Sequence, residues 1–195
     1  MYSSPKEKSD IILSIFKDSR TIFRFKDISM LVGETDFQSL NKKLNYYVRA
    51  DKLQNPRKGI YAKPGYNPEE LACTIYVPSY LSLEYVLQKT GIVFQYDTQI
   101  TSISYLSRNV AIENRTFVFR KLKGSALVNA TGIKRLINQI NIATAERAFL
   151  DLLYLEKDYY FDNLNSLNKP LVHKLLPLYQ SKSLTLRASK LLQNV

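Results

Sequence analysis

At 195 residues, with 45% hydrophobic and 23% charged side chains, the chain has ordinary globular make-up, which excludes a disordered tail. A net charge of +11 and a pI near 9.6 call for a polyanionic partner, nucleic acid first, with an acidic protein surface or an anionic membrane as the alternatives. Cys73 and His173 are the sole residues of their kinds, so an intramolecular disulfide is excluded, and a His/Cys metal site or a Cys-His nucleophile pair is argued against.

No apolar run reaches the ~18 residues of a membrane span, and MYSSPKEKSD lacks a signal-peptide core. A soluble, cytoplasmic protein is expected. Ser4-Pro5 opens a first helix with Ile11, Ile12, Ile15 and Phe16 as its apolar stripe. Arg20–Phe25 is strand-like or an extended link, and the pattern leaves both open. Lys26–Val32 reads as a short helix stopped by Gly33, and Val32–Thr35 as the turn of a helix-turn-helix.

Thr35 and Gln38 have capping-box spacing, so the next helix is expected to start there. Its apolar residues Phe37, Leu40, Leu44, Tyr47 and Val48 share one arc. On the opposite face Gln38, Lys42, Asn45 and Arg49 recur at spacings of four, three and four. Amides suit adenine edges, and Arg or Lys suits guanine and phosphate. Asp51-Lys52-Leu53 reads as a short apolar return, Gln54–Gly59 as a basic turn and Ile60–Ala62 as a strand. Helix, strand, turn and strand describe a winged helix.

Residues 36–63 hold seven basic side chains against two acidic, and the first 64 residues carry a net +6. Double-stranded DNA is therefore the expected partner, although any amphipathic surface helix also has a polar face. The candidate contacts are Lys42, Asn45 and Arg49 on the helix, Arg57 and Lys58 at the wing, and Gln38, which a capping box would partly claim. Tyr46 and Tyr61 are candidates for stacking on or bonding to the DNA backbone.

Lys63–Pro68 is punctuated by proline and glycine and marks a boundary, giving domains 1–64 and 65–195. Asn67-Pro68 starts a helix running through Ile75. Pro78–Ser82 breaks the chain before a helix over Leu83–Thr90, ended by Gly91. From Ile92 to Ile142 the pattern turns to β: Ile100–Leu106, Val110–Ile112, Thr116–Leu122 and Ile133–Ile142, with turns at Asn114 and Gly124. Arg115, Arg120, Lys121, Lys123, Lys134 and Arg135 make this sheet basic, either as a second polyanion surface or as ordinary solvent-facing positions.

Ala143–Tyr154 is the most helical stretch, with Thr144 as N-cap and Ala145, Ala148, Phe149, Leu152 and Leu153 as its core stripe. Arg147 and Asp151 fall at i, i+4 on its expected exposed side. Helices over Lys169–Tyr179 and Ser183–Leu192 follow. The expected class is α+β: an N-terminal winged helix-turn-helix, then a mixed α/β domain with a helical C-terminal tail.

Catalytic chemistry finds little to work with. No glycine-rich loop precedes a Lys-Ser/Thr pair. A metal-dependent nuclease would have to use Glu113, Glu146 and Asp151, of which the first sits in an expected turn and the others suit helix electrostatics. No catalytic residue, metal or cofactor is assigned, and a non-enzyme is expected.

Three stretches together resemble the AbiEi-type antitoxins of bacterial type IV toxin–antitoxin systems. Gly59–Gly65 is similar to that family's wing ending of glycine, apolar residue, tyrosine and proline. Tyr80–Ile92 is similar to its serine-(apolar)-glutamate helix leading to a glycine, with Thr90 where the family often has histidine. Ile142–Tyr154 is similar to its threonine, acidic-basic pair and Leu-Asp-Leu helix. The resemblance covers roughly residues 5–160. It implies a winged helix that represses the chain's own operon by binding its promoter. It also implies a C-terminal domain that neutralises a nucleotidyltransferase-like toxin, typically without a stable complex. The alternative is a transcriptional regulator whose C-terminal domain binds a ligand or a protein and has no toxin partner.

Overall fold

The structure is a computed structural model that describes residues 10–193. The expected helix start at Ser4-Pro5 lies outside the described residues. The chain divides into two compact units, Met1–Thr74 and Ile75–Val195. Together they are α+β, with a helical C-terminal segment. Among the described residues no helix is long and apolar enough to cross a membrane.

In the first unit, α1 (Ile11–Lys17) is capped by Asp10, whose carboxylate accepts from the Ile12 amide at 3.0 Å. β1 (Ile22–Arg24) settles the open reading of Arg20–Phe25 as a strand. α2 (Phe25–Val32) ends at Gly33, whose φ of +66° is the left-handed stop a glycine supplies without strain. α3 (Phe37–Arg49) follows, then β2 (Gln54–Arg57) and β3 (Ile60–Ala62). The three strands form an antiparallel sheet with β3 in the middle.

Two expectations are corrected here. Gln54–Arg57 is a strand, and the turn shrinks to Lys58-Gly59. Pro56 lacks an N–H to donate, yet β2 lies at the sheet edge, where that loss is tolerated. The pairing also slips between Gln54 and Arg57, so the proline falls in a bulge. Asp51–Leu53, expected as the short strand, is an irregular return with Leu53 buried.

Ile11, Ile15, Phe23, Ile28, Leu40, Leu44, Leu53 and Tyr61 form the core of this unit, drawn from α1, α2, α3, the return after α3 and the sheet. α4 (Pro68–Ile75) is capped by Asn67, whose side-chain oxygen accepts from the Glu69 amide at 2.8 Å. Glu70 on α4 is buried and accepts from the Thr21 and Ile22 amides at 2.7 and 3.2 Å, tying the helix to β1.

The second unit is built on a six-stranded mixed sheet. Its strands are β4 (Ser79–Leu81), β5 (Ile100–Ser104), β6 (Arg108–Ile112), β7 (Arg115–Lys121), β8 (Ile133–Arg135) and β9 (Asn141–Ala143), in the order β6-β7-β5-β4-β9-β8. β5 with β7 and β4 with β9 are parallel; the other pairs are antiparallel. β4 corrects the reading of Pro78–Ser82 as a break: Ser79, Tyr80 and Leu81 are all buried inside the sheet. The expected strand over Ile133–Ile142 is split into the β8–β9 hairpin. Gly124 opens α6 (Gly124–Val128), which the β pattern concealed.

α5 (Glu84–Lys89), α7 (Ala145–Leu155), α8 (Lys169–Leu175) and α9 (Lys182–Gln193) complete the unit. Thr144 caps α7 as expected, its hydroxyl accepting from the Arg147 amide at 3.3 Å. Every residue of α7 from Glu146 to Leu153 is buried. The expectation that Arg147 and Asp151 lie on an exposed side is therefore overturned. Ala148, Phe149, Leu152 and Leu153 of the expected stripe are buried and Ala145 is half-buried, but the helix is enclosed on its polar side as well.

Candidate nucleic-acid interface

The start of α3 differs from the capping-box expectation. Asp36 is the N-cap, and its carboxylate accepts from the Gln38 and Ser39 amides at 3.1 and 3.0 Å. Asp36 lies one residue nearer the helix than Thr35, and its charge favours the positive end of the helix dipole. The Gln38 side chain is thereby released from the capping role.

Leu40 and Leu44 are fully buried, and Tyr47 and Val48 pack against the same core. Their burial sends the opposite face outward. Gln38, Lys42, Asn45 and Arg49 are all exposed, as are Asn41 and Tyr46. Among the described residues the side chains of Gln38, Lys42, Asn45 and Arg49 make no hydrogen bond or ion pair. Such a strip of uncommitted donors and amides can read a polar ligand without breaking an internal contact. Lys43 is different: it pairs with Glu34 at 3.5 Å.

The β2–β3 hairpin stands beside this strip. A groove of about 600 Å³ runs between them, lined by Phe25, Phe37, Gln38, Asn41, Asn45, Asn55, Lys58, Gly59 and Tyr61. Of the six candidate contacts it brings together Gln38, Asn45 and Lys58. Lys42 and Arg49 stay on the exposed strip of α3 outside the groove, and Arg57 is half-buried in β2. Gly59, with φ +77°, makes the tight turn that places Lys58 at the tip. The Asn55 amide donates to the Arg57 and Ile60 carbonyls at 3.1 and 2.7 Å, clamping the bulge and the hairpin.

Asn41 and Phe37 are site residues the sequence reading missed. Asn41 sits three residues after Gln38 and four before Asn45, so a wider arc on the helical wheel would have included it. Phe37 was assigned to the apolar arc, yet it is 59% exposed and meets Phe25 edge-on at 5.9 Å. Tyr46 is exposed. Tyr61 is not: it is buried, burial raises its phenol above the ordinary value, and its hydroxyl reaches the Asn41 side-chain oxygen at 3.4 Å. It supports the groove from below.

The second unit concentrates its polar residues in a buried network. Arg147 donates to Asp151 Oδ1 at 3.3 Å, to the Tyr80 hydroxyl at 3.1 Å, and to the Thr131 and Ala126 carbonyls at 3.1 and 2.6 Å. Asp151 also accepts from Tyr179 at 2.6 Å, Ser82 at 2.8 Å and Tyr80 at 3.0 Å. Burial, and then the Asp151 charge, push the Tyr80 and Tyr179 hydroxyls well above the ordinary phenol value, which keeps them donors. Burial raises the Asp151 carboxyl, with Arg147 and the three hydroxyls acting in the opposite sense. Burial works against the Arg147 charge, but Tyr179, Asp151 and Tyr80 outweigh it and hold the guanidinium above its ordinary value.

The carboxylates named for nuclease chemistry are spread apart in role. Glu113 is exposed in the β6–β7 turn, Glu146 accepts from the Asn168 amide at 3.1 Å, and Asp151 belongs to the network. Among the described residues no group of three His, Cys, Asp or Glu side chains is placed to hold a metal ion. His173 is exposed on α8. Of the basic sheet residues, Arg115, Lys121, Lys123, Lys134 and Arg135 face solvent, while Arg120 pairs with Glu156 at 2.9 Å. No protein-family model matches the chain, and no curated protein matches it.

Proposed function

We propose that the first unit is a winged helix-turn-helix that binds double-stranded DNA, with α3 as its recognition helix and the β2–β3 hairpin as its wing. The observation that carries this reading is the exposed, uncommitted strip Gln38-Lys42-Asn45-Arg49 beside the Lys58 hairpin tip. α2, the short turn after it and α3 supply the helix-turn-helix order, and the chain's net +11 supplies the attraction to phosphate.

On the resemblance to AbiEi-type antitoxins, the whole chain is a DNA-binding antitoxin. It represses its own operon through the first unit and neutralises a nucleotidyltransferase-like toxin through the second. The buried network supports the resemblance in one respect. Ser82 comes from the second family-like stretch and Arg147 and Asp151 from the third, and these residues meet in one hydrogen-bonded cluster. Two stretches about 60 residues apart thus share a physical cause, the holding together of the second unit's core. Because that cluster is buried, a surface that neutralises a toxin lies elsewhere on the unit.

Electrophoretic mobility shift on the chain's own promoter tests the first unit. Binding that weakens with salt, and weakens on all sequences with a flatter salt dependence after Lys58→Ala, is expected. Growth rescue in cells co-expressing a nucleotidyltransferase-like toxin tests the second. The second reading is a regulator with a ligand-binding domain and no toxin partner. It draws on a polar groove of about 310 Å³ in the second unit, lined by Glu84, Gln88, Asp97, Arg120 and Tyr159 among others. Promoter binding without growth rescue would favour it.

A further inference from the structure

Phe37 is the least expected residue of the groove. A phenylalanine in the first turn of a helix, 59% exposed and braced edge-on by Phe25, spends apolar surface on solvent when the core beneath already has Leu40 and Leu44. Next to it stand two exposed amides with no internal partner, Gln38 and Asn45. Two helical turns separate them, a rise of about 10.5 Å, close to three base-pair steps of about 3.4 Å. In the major groove the thymine methyl is the one apolar feature of a base edge, and adenine alone offers the N7 acceptor and N6 donor that an amide matches in pairs.

Resting on the DNA-binding reading above, we infer that the N-terminal half of α3 selects A·T pairs: Phe37 packs on a thymine methyl, and Gln38 and Asn45 read adenines about three base pairs apart. Asn41, between the two amides, has its side-chain oxygen engaged by the Tyr61 hydroxyl. One acceptor site of that oxygen is thereby occupied, so Asn41 matches adenine's paired donor and acceptor less well than Gln38 or Asn45 do. Lys42 and Arg49 carry no amide and fit phosphate or guanine at the flanks. The preferred half-site is thus A·T at two positions set three apart, looser between them, with the thymine methyl required at the end nearest Phe37.

The test starts with selection of the full chain on duplexes with a randomised core at low salt. Base-analogue substitutions in the selected duplex follow. Replacing thymine by deoxyuridine removes only the methyl, and binding is expected to fall about fourfold, the worth of one buried methyl-sized group. Phe37→Ala should be insensitive to that replacement, and Phe37→Leu, which keeps an apolar contact, should stay sensitive. Replacing adenine by 7-deazaadenine removes N7 and should weaken the unmodified chain about fivefold or more. Gln38→Ala and Asn45→Ala should each lose the sensitivity at one adenine only, with the two positions three base pairs apart. All three positions carry exposed side chains, and unchanged melting temperatures confirm that the variants fold. Selected duplexes without an A·T excess, or analogue duplexes bound as tightly as the parent, overturn the inference while leaving DNA binding in place. Failure to bind any duplex at low salt overturns both.

Discussion

Arg147 and Asp151, one turn apart on α7, meet at 3.3 Å with both side chains wholly removed from solvent. Burying two charges costs several kcal/mol per ion, and here three hydroxyls and two carbonyls offset it by bonding to the pair. Removing one partner strands the other. Asp151→Ala is expected to cost the second unit about 3–5 kcal/mol. The double change Arg147→Met with Asp151→Leu should cost less than Asp151→Ala alone. Urea unfolding of the full chain, followed by a probe in the second unit, measures both. A loss of under about 1 kcal/mol for Asp151→Ala would contradict the network's role.

The cap of α3 separates two neighbouring residues. Asp36→Ala should destabilise the first unit by about 1 kcal/mol, the usual worth of an N-cap carboxylate. Thr35→Ala should change little. Thermal melts of the two variants decide it, and the reverse ranking would restore the capping box that the sequence spacing suggested.

Asn55 lines the groove and also clamps the hairpin, its amide donating to two carbonyls. Asn55→Ala should cost about 1–2 kcal/mol in the first unit. Gly59→Ala places a side chain at φ +77° and should destabilise as well. Both changes should also weaken promoter binding on every sequence alike, because Lys58 loses its fixed place at the tip. Sequence-dependent losses would mean that the hairpin reads bases.

Glu84 supplies a pH-dependent prediction. Burial holds its carboxyl above the ordinary value. The unfolded chain therefore ionises first as pH rises, and the folded state binds more protons between the unfolded and folded values. Stability is full below the unfolded value and is lost as pH climbs through the folded one. Glu84→Gln should accordingly melt higher than the parent at pH 7, with the difference vanishing as pH is lowered below the ordinary carboxylate range. Calorimetry at several pH values reads this directly.

Much of the fold was legible in the sequence because its signals were local. Gly33, Asn67-Pro68 and Thr144 announced helix ends through backbone chemistry that needs no tertiary partner. What escaped depended on surroundings. β2 carries Pro56, which reads as a turn until the strand is known to be an edge with a bulge. β4 is three residues flanked by proline and serine, too short for a period, and its interior position comes from neighbours far along the chain. The polar face of α7 looked solvated because i, i+4 charges normally are. Only the packing of Tyr80, Ser82 and Tyr179 around it makes that face interior. In the candidate site the α3 strip was read from helical spacing alone. The groove and Phe37 emerged only when β2 and β3 were set beside the helix.

The proposal that α3 is a recognition helix is tested most directly by a salt series of promoter binding, comparing the parent chain with Lys42→Ala plus Arg49→Ala. Both side chains are exposed and unpaired among the described residues, so the double variant should fold unchanged. Affinity is expected to drop more than about tenfold, and the slope of log K against log salt to become shallower by roughly one to two. Equal affinity with an equal slope would contradict the assignment of this face.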